Sequence, residues 1–283
     1  MILPGETAVL DRITAWGDAE DAVRGLVLTS GRARRDSTVD LLSDYDVIVL
    51  LSDVERFDAT AAYGPPLARW GDDGLVHGVT THFRGVVYDD WVKIDWSLWP
   101  TRAGALVAEH GLTDDLDVGY RVLLDKDGLT AAWAQPSYRA HVPPRPTEAE
   151  YVALVEEFWW SASYVGKSLW RGEWFFTRFV LDVDLKHTAL RRMLEWLVEL
   201  EHDWDLRPGA YGRCLEQLVP PDVREDLFAT YDAEGGWEAF ERTAALFRRV
   251  GKTVGGGLGY EYPQRIDDRA SAYLAETRAL PRS

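Results

Sequence analysis

Short aliphatic runs separated by turns fill the first half of the chain, and apolar residues at helical spacing fill the second. Residues 6–17 predict an amphipathic helix, with Val9, Leu10 and Ile13 on one face. RGLVLTS (24–30) and YDVIVLL (45–51) are β-branched, short and bounded by turn signals, which predicts strands. VVYDDWVKIDWSLWP (86–100) holds two more, split near Asp89-Asp90. In the second of these Val92, Ile94, Trp96 and Leu98 face one way, while Lys93, Asp95 and Ser97 face the other. YRVLLDKDG (120–128) predicts a further strand and turn.

QPSYRAHVPPRPTEAE (135–150) breaks this pattern with four prolines and little apolar content, and reads as a linker. Thr147 and Glu150 then match a capping box, a helix-start signature. Helices are expected over 147–171, 173–203, about 211–217 and 236–257, punctuated by Pro208 and Pro220-Pro221. GGGLGY (255–260) trails a helix and lacks a following Gly-Lys-Ser/Thr, so it reads as a helix stop and not as a phosphate loop. The expected architecture is α+β: a unit of strands and helices in 1–140, a helical unit in 147–265, and a C-terminal tail in 266–283.

Composition narrows the function. Of 283 residues 46% are hydrophobic, enough for a substantial core. Acidic residues outnumber basic ones by 47 to 31, for a formal net charge of -16. Such a surface repels nucleic acid and attracts a cationic small molecule. The single cysteine, Cys214, permits no internal disulfide, and the six histidines show no zinc-ligand spacing. No signal-like start or membrane-length apolar run is present, so a soluble cytoplasmic protein is expected. The 13 tryptophans fit either aromatic packing or a stacking pocket.

The chemistry-bearing stretch is Asp44 and Asp46 at the mouth of the second strand, after the small-residue turn Ser30-Gly31-Arg32. Two residues apart in a strand, both carboxylates point to one face and repel by roughly 1 kcal/mol or more. A divalent cation offsets that repulsion, and Mg²⁺ favours one or two carboxylates plus substrate phosphates. Asp95, on the polar face of another strand, completes a set of three able to serve a two-metal site. The competing reading is that Asp44 and Asp46 merely flank a turn with Ser43.

LTSGRAR (28–34), SDYDVIVLL (43–51) and VKIDWSL (92–98) together resemble the nucleotidyltransferase superfamily that includes DNA polymerase β. EFWWSASYVGKSLWRGEWFF (157–176), MLEWLVELEHDW (193–204) and ALFRRVGKTVGGGLGYEYP (245–263) look like the aminoglycoside 6-adenylyltransferases that act on streptomycin. That resemblance, over roughly residues 5 to 265, implies AMP transfer from ATP to an aminoglycoside hydroxyl with release of pyrophosphate. It implies a mixed-sheet nucleotidyltransferase domain with flanking helices for the first unit and a helical bundle for the second. It implies ATP and Mg²⁺ bound between the two domains, with Asp44, Asp46 and Asp95 as metal ligands. Ser30, Gly31, Arg32, Lys167 and Arg213 are its nucleotide contacts. The family usually reads Gly-Ser where this chain has Ser30-Gly31, so the signature pair is inverted. At the basic positions around Arg213 this chain has Ala210.

Asp182 is the first candidate for the base, placed by helical spacing at the edge of a stripe of Phe176, Phe179, Val183 and Leu190; the alternatives are an ion pair with Lys186, or Asp184 as base. His187 falls within the same stripe and reads as a packed core histidine. Lys167 is either a triphosphate contact or a partner of Glu173. Asp89 and Asp90 are candidates for binding a cationic substrate. The partners expected are ATP and an aminoglycoside, with no nucleic acid or membrane, the chain being a monomer or weak homodimer. A different acceptor, or a non-catalytic nucleotide-binding module, remain the alternative functions.

Overall fold

The computed structural model describes residues 3–34 and 39–281. They form two compact units, Met1–Ala140 and His141–Ser283. In the first, helix α1 (Glu6–Ala19) precedes β1 (Val23–Thr29), the one-turn α2 (Ser30–Ala33) and β2 (Tyr45–Leu51). A second one-turn helix, α3 (Ala59–Ala62), leads to β3 (Pro66–Val76), β4 (Val79–Tyr88) and β5 (Lys93–Pro100). Then follow α4 (Thr101–His110), the short α5 (Asp114–Asp117) and β6 (Tyr120–Asp125).

The strands make one mixed sheet in the order β3-β4-β5-β2-β1-β6. Among the described residues only β2 and β5 run parallel; every other neighbouring pair is antiparallel. The central strands β1 and β2 are buried on both faces, which is why they read as unbroken aliphatic runs. On one face Leu26, Leu28, Val47, Val49 and Trp96 pack with Val9 and Ile13 of α1. On the other, Val27, Ile48 and Leu50 pack with Ala103 and Val107 of α4. The alternation in β5 holds, with Val92, Ile94, Trp96 and Leu98 all at most 5% exposed.

Several elements of this unit lie outside the sequence expectation, β3 and α4 being the longest. β3 exposes nearly every residue, so no face of it carries an apolar signal; its backbone ladder with β4 holds it at the sheet edge. The hairpin closes at His77-Gly78, both with positive φ (48° and 79°), as a two-residue type I′ turn requires. α4 was likewise not foreseen, and it buries only Ala103, Gly104 and Val107.

The second unit is helical. α6 (Glu148–Arg171) starts at the expected capping box: Glu150 N–H donates to Thr147 Oγ1 and Thr147 N–H to Glu150 Oε2. α7 (Trp174–Phe179) runs into a π-helical stretch, Val180–Leu190, and on into α8 (Arg191–Glu199). The region expected as a helix over 211–217 is two single turns, Ala210–Gly212 and α9 (Leu215–Leu218), because Tyr211 takes a left-handed φ of 57°. α10 (Pro221–Ala229) begins at Pro221, so that proline opens a helix as well as ending a loop. α11 (Gly236–Leu258) stops at Gly259, φ 79°, where Tyr260 N–H donates to Gly255 O.

Most of the segment expected as a C-terminal tail is helical among the described residues. Gln264–Ala279 form α12, whose Asp267 is 1% exposed and whose Leu274 joins the core. Arg248 of α11 donates to both Asp267 oxygens at 2.6 and 2.7 Å, and Tyr262 and Ser271 hydroxyls donate as well. Burial alone would raise the Asp267 pKa, but these bonds outweigh it and hold it below the ordinary 3.8. Among the described residues no helix is long and apolar enough to cross a membrane.

A depressed carboxylate stabilises the fold above its unfolded pKa and loses that contribution as pH falls through the folded value. Arg248→Met is therefore expected to cost about 3 kcal/mol at pH 7, the cost of stripping one partner from a buried pair. The gap from wild type should narrow below pH 4 as Asp267 protonates. Urea unfolding between pH 3 and 7 checks it, and a pH-independent gap would contradict it.

Candidate active site

The pairing of β2 with β5 sets the site. Parallel register puts Asp46 opposite Asp95 and Tyr45 opposite Ile94. Across β1, Thr29 pairs with Asp46, which brings the Ser30 turn alongside. Asp44 lies one residue before β2 begins. Lys93, two residues before Asp95 on the same strand face, reaches back to both outer carboxylates. Its Nζ is 2.6 Å from Asp44 Oδ2 and 2.7 Å from Asp95 Oδ2.

The electrostatics follow from this crowding. Burial, then repulsion by Asp95 and Asp44, pushes the Asp46 carboxyl up to about 6. Lys93 and a hydrogen bond from Ser30 oppose that rise. Burial alone would lower the Lys93 ammonium pKa, but its bonds to Asp44 and Asp95 raise it above the ordinary lysine value. Asp95 Oδ1 is buried with no hydrogen-bond partner. An unsatisfied carboxylate oxygen beside two further carboxylates is donor chemistry suited to a hard divalent cation. The described residues do not hold three acidic or histidine groups already disposed as a metal cage. The Lys93 ammonium stands between two of the three.

The turn after β1 carries the inverted pair. Ser30 has φ 57°, the left-handed region where glycine is at ease and serine is strained, and its side chain bonds to Asp46. Arg32 is not presented to solvent: its side chain is 6% exposed. Its guanidinium donates to Ser43 O at 2.7 Å, Asp44 O at 3.1 Å and Glu6 Oε2 at 2.9 Å, and lies 4.0 Å over the Tyr45 ring. It pins the segment entering β2 and so fixes Asp44. Beside it opens a cavity of about 460 Å³ lined by Glu6, Arg32, Asp40, Ser43, Trp91 and Lys93, among others.

Asp90 is committed to its turn, accepting from Tyr63 Oη at 2.8 Å and from Val92 N–H at 3.3 Å. Asp89 is exposed beside it. Neither is brought into the Asp44–Lys93–Asp95 group.

In the helical unit, Asp182 sits between Arg178 Nη2 at 2.6 Å and Lys186 Nζ at 3.0 Å. Lys186 is 3% exposed, also donates to Thr230 O, and has its pKa lowered by burial against the pull of Asp182. The expected stripe is overturned: Phe176, Phe179 and Val183 are 44%, 52% and 42% exposed, and His187 is exposed too. The π-helical stretch is the reason. With i→i+5 bonding, residues five apart share a face, so Val180, Leu185 and Leu190 are buried together, as are Leu181 and Lys186. Asp184 is half-buried, and desolvation raises its carboxyl pKa. Lys167 forms no ion pair with Glu173, which faces Arg171; its Nζ lies 5.4 Å from the Tyr164 ring centre. Arg213 is exposed in the loop after Tyr211.

The streptomycin adenylyltransferase family matches residues 5–277. The chain belongs to that family. It is thereby a nucleotidyltransferase, and the mixed sheet with flanking helices followed by a helical unit agrees with the architecture expected from the sequence. It is 28% identical to an aminoglycoside 6-adenylyltransferase from Campylobacter jejuni over 279 residues, covering 95% of this chain and 94% of that protein. It is 26% identical to the enzyme of that name from Bacillus subtilis, covering 91% and 93%. A crystal structure of an aminoglycoside 6-adenyltransferase from Bacillus subtilis aligns with a TM-score of 0.49 at 23% identity, covering 98% of this chain and all of that one.

Lys93 is the site residue the sequence reading passed over, although it had already been placed on the polar face with Asp95. Arg32 makes a sharp test of role. As a staple of the Asp40–Tyr45 segment, Arg32→Met should cost about 2–4 kcal/mol in denaturant unfolding, through lost charged hydrogen bonds and an uncovered cavity. An unchanged unfolding midpoint with a raised KM for ATP would instead make it a phosphate ligand.

Proposed function

We propose that this chain transfers AMP from ATP to a hydroxyl of streptomycin or a related aminoglycoside, releasing pyrophosphate, in the cytoplasm where ATP is supplied. The observation that carries this reading is the register of Asp46 opposite Asp95, with Asp44 alongside, in a chain of the streptomycin adenylyltransferase family. The names of its relatives supply the acceptor class, and the acidic balance of 47 to 31 suits a polycation.

In this reaction the acceptor oxygen bonds to the α-phosphorus while the bond to the α–β bridging oxygen breaks. Pyrophosphate leaves with that electron pair, and the hydroxyl proton passes to a carboxylate. Asp44, Asp46 and Asp95 would hold Mg²⁺, which supplies charge stabilisation on the phosphates and a more acidic acceptor hydroxyl. Ser30 bonds to Asp46 and so orients it. Ser30 and Gly31 would contact the phosphates, and Lys167 and Arg213 of the helical unit, both outside any ion pair among the described residues, are the further nucleotide contacts that the family resemblance implies. Arg32 acts through the Asp44 segment it holds.

Asp182 is the proposed proton acceptor, fixed in orientation by Arg178 and Lys186. Asp184 is the rival, since its raised pKa brings it nearer to a working base. For the acceptor, exposed Asp89 supplies negative charge. Asp90 supports that turn from beneath.

Incubation with ATP, Mg²⁺ and an aminoglycoside panel that includes streptomycin should yield pyrophosphate and an AMP adduct by mass spectrometry, both lost in Asp46→Asn. An adduct on some other acceptor would keep the enzyme and change the substrate. ATP binding without turnover on any acceptor would favour a non-catalytic module. Asp182→Asn should lower kcat by roughly 10²–10⁴ with KM little changed; the same loss in Asp184→Asn alone would move the base to that residue.

A further inference from the structure

We propose that Lys93 is a built-in counter-cation, occupying the carboxylate cluster in the metal-free enzyme and yielding its place when a divalent cation binds. This rests on the reading that Asp44, Asp46 and Asp95 bind such a cation. Lys93 and Asp95 are two apart on β5, so the strand itself holds the ammonium beside that carboxylate. From there Nζ reaches one oxygen of each outer aspartate, at 2.6 and 2.7 Å.

An ammonium is a compact point charge with three donors, the closest side-chain substitute for a small cation. It offsets the repulsion within the cluster, which would otherwise splay Asp44 away from Asp95. A divalent cation competes with it for the Oδ2 atoms of Asp44 and Asp95, because Mg²⁺ takes carboxylate oxygens at about 2.0–2.1 Å and two cations so close repel each other. The side chain has somewhere to go: it is 39% exposed, on a flexible four-carbon stem. The other oxygen of Asp95, Oδ1, has no hydrogen-bond partner, so the lysine leaves part of the donor set open. Lys93 is thus a positioning residue: it keeps the site assembled without metal, and it lowers metal affinity because it must be displaced.

The test is Mn²⁺ binding to the full chain without ATP, read by electron paramagnetic resonance, together with thermal unfolding with and without Mn²⁺. Lys93→Met is expected to bind Mn²⁺ about tenfold tighter than wild type, since no cation competes for Asp44 and Asp95. Without metal it should melt below wild type, and Mn²⁺ should raise its melting temperature by more than it raises that of wild type. Lys93→Gln provides the same comparison should the methionine variant fold poorly. Asp95→Asn should abolish binding in either background. Mn²⁺ affinity unchanged or weakened in a folded Lys93 variant, with wild-type binding still lost in Asp95→Asn, overturns the counter-cation role and leaves the metal site standing. No Mn²⁺ binding by wild type or variant overturns both.

Discussion

The parallel pairing of β2 with β5 is the constraint from which the rest of the first unit follows. Among the described residues it is the one parallel contact in the sheet, and it sets Asp46 against Asp95. Two like charges in register are unfavourable, and only a strong framework keeps them there. That framework is the burial of β1 and β2 on both faces, with α1 on one side and α4 on the other. A slip of β5 by one residue would turn Lys93, Asp95 and Ser97 inward and Ile94 and Trp96 outward, so the alternation in β5 locks the acidic register.

The polar residues around the pair each relieve part of its cost. Lys93 bridges the outer carboxylates, Ser30 bonds to Asp46 from a strained backbone position, and Arg32 pins the segment that carries Asp44. Asp46 still has its pKa raised to about 6, and Asp95 Oδ1 still lacks a partner. Residual desolvation and an unmet acceptor make the cluster favourable ground for positive charge.

The helical unit solves a different problem. Its core is dense with aromatic contacts, such as Phe158 stacked on Phe247 with ring centres 3.8 Å apart. Within it the Val180–Leu190 stretch widens the helix and carries Lys186 inward, where Asp182 and Thr230 meet its ammonium. The same change of phase turns Phe176, Phe179 and Val183 outward. Buried charge and exposed aromatics therefore have a common backbone origin.

The sequence by itself determined the elements whose burial is one-sided or complete: β1, β2, β5, α6 and α11 are written in aliphatic spacing, and the Thr147–Glu150 cap in side-chain chemistry. It also placed Asp46 and Asp95 on strands and Asp44 at the entry to the first of them, because strand period two follows from local geometry. Tertiary structure decided what has no local signal. β3 is held as a strand by its ladder with β4, and in the helix over 264–279 Leu274 joins the core while Arg248 of α11 pairs the buried Asp267. His187 faces out and Lys186 in because the bonding shifts to i→i+5, which a 3.6-residue reading cannot detect. Lys93 lay in plain sight beside Asp95, but its partner Asp44 is 49 residues away in the chain. Only the closed sheet brings that ammonium and those carboxylates within hydrogen-bonding distance.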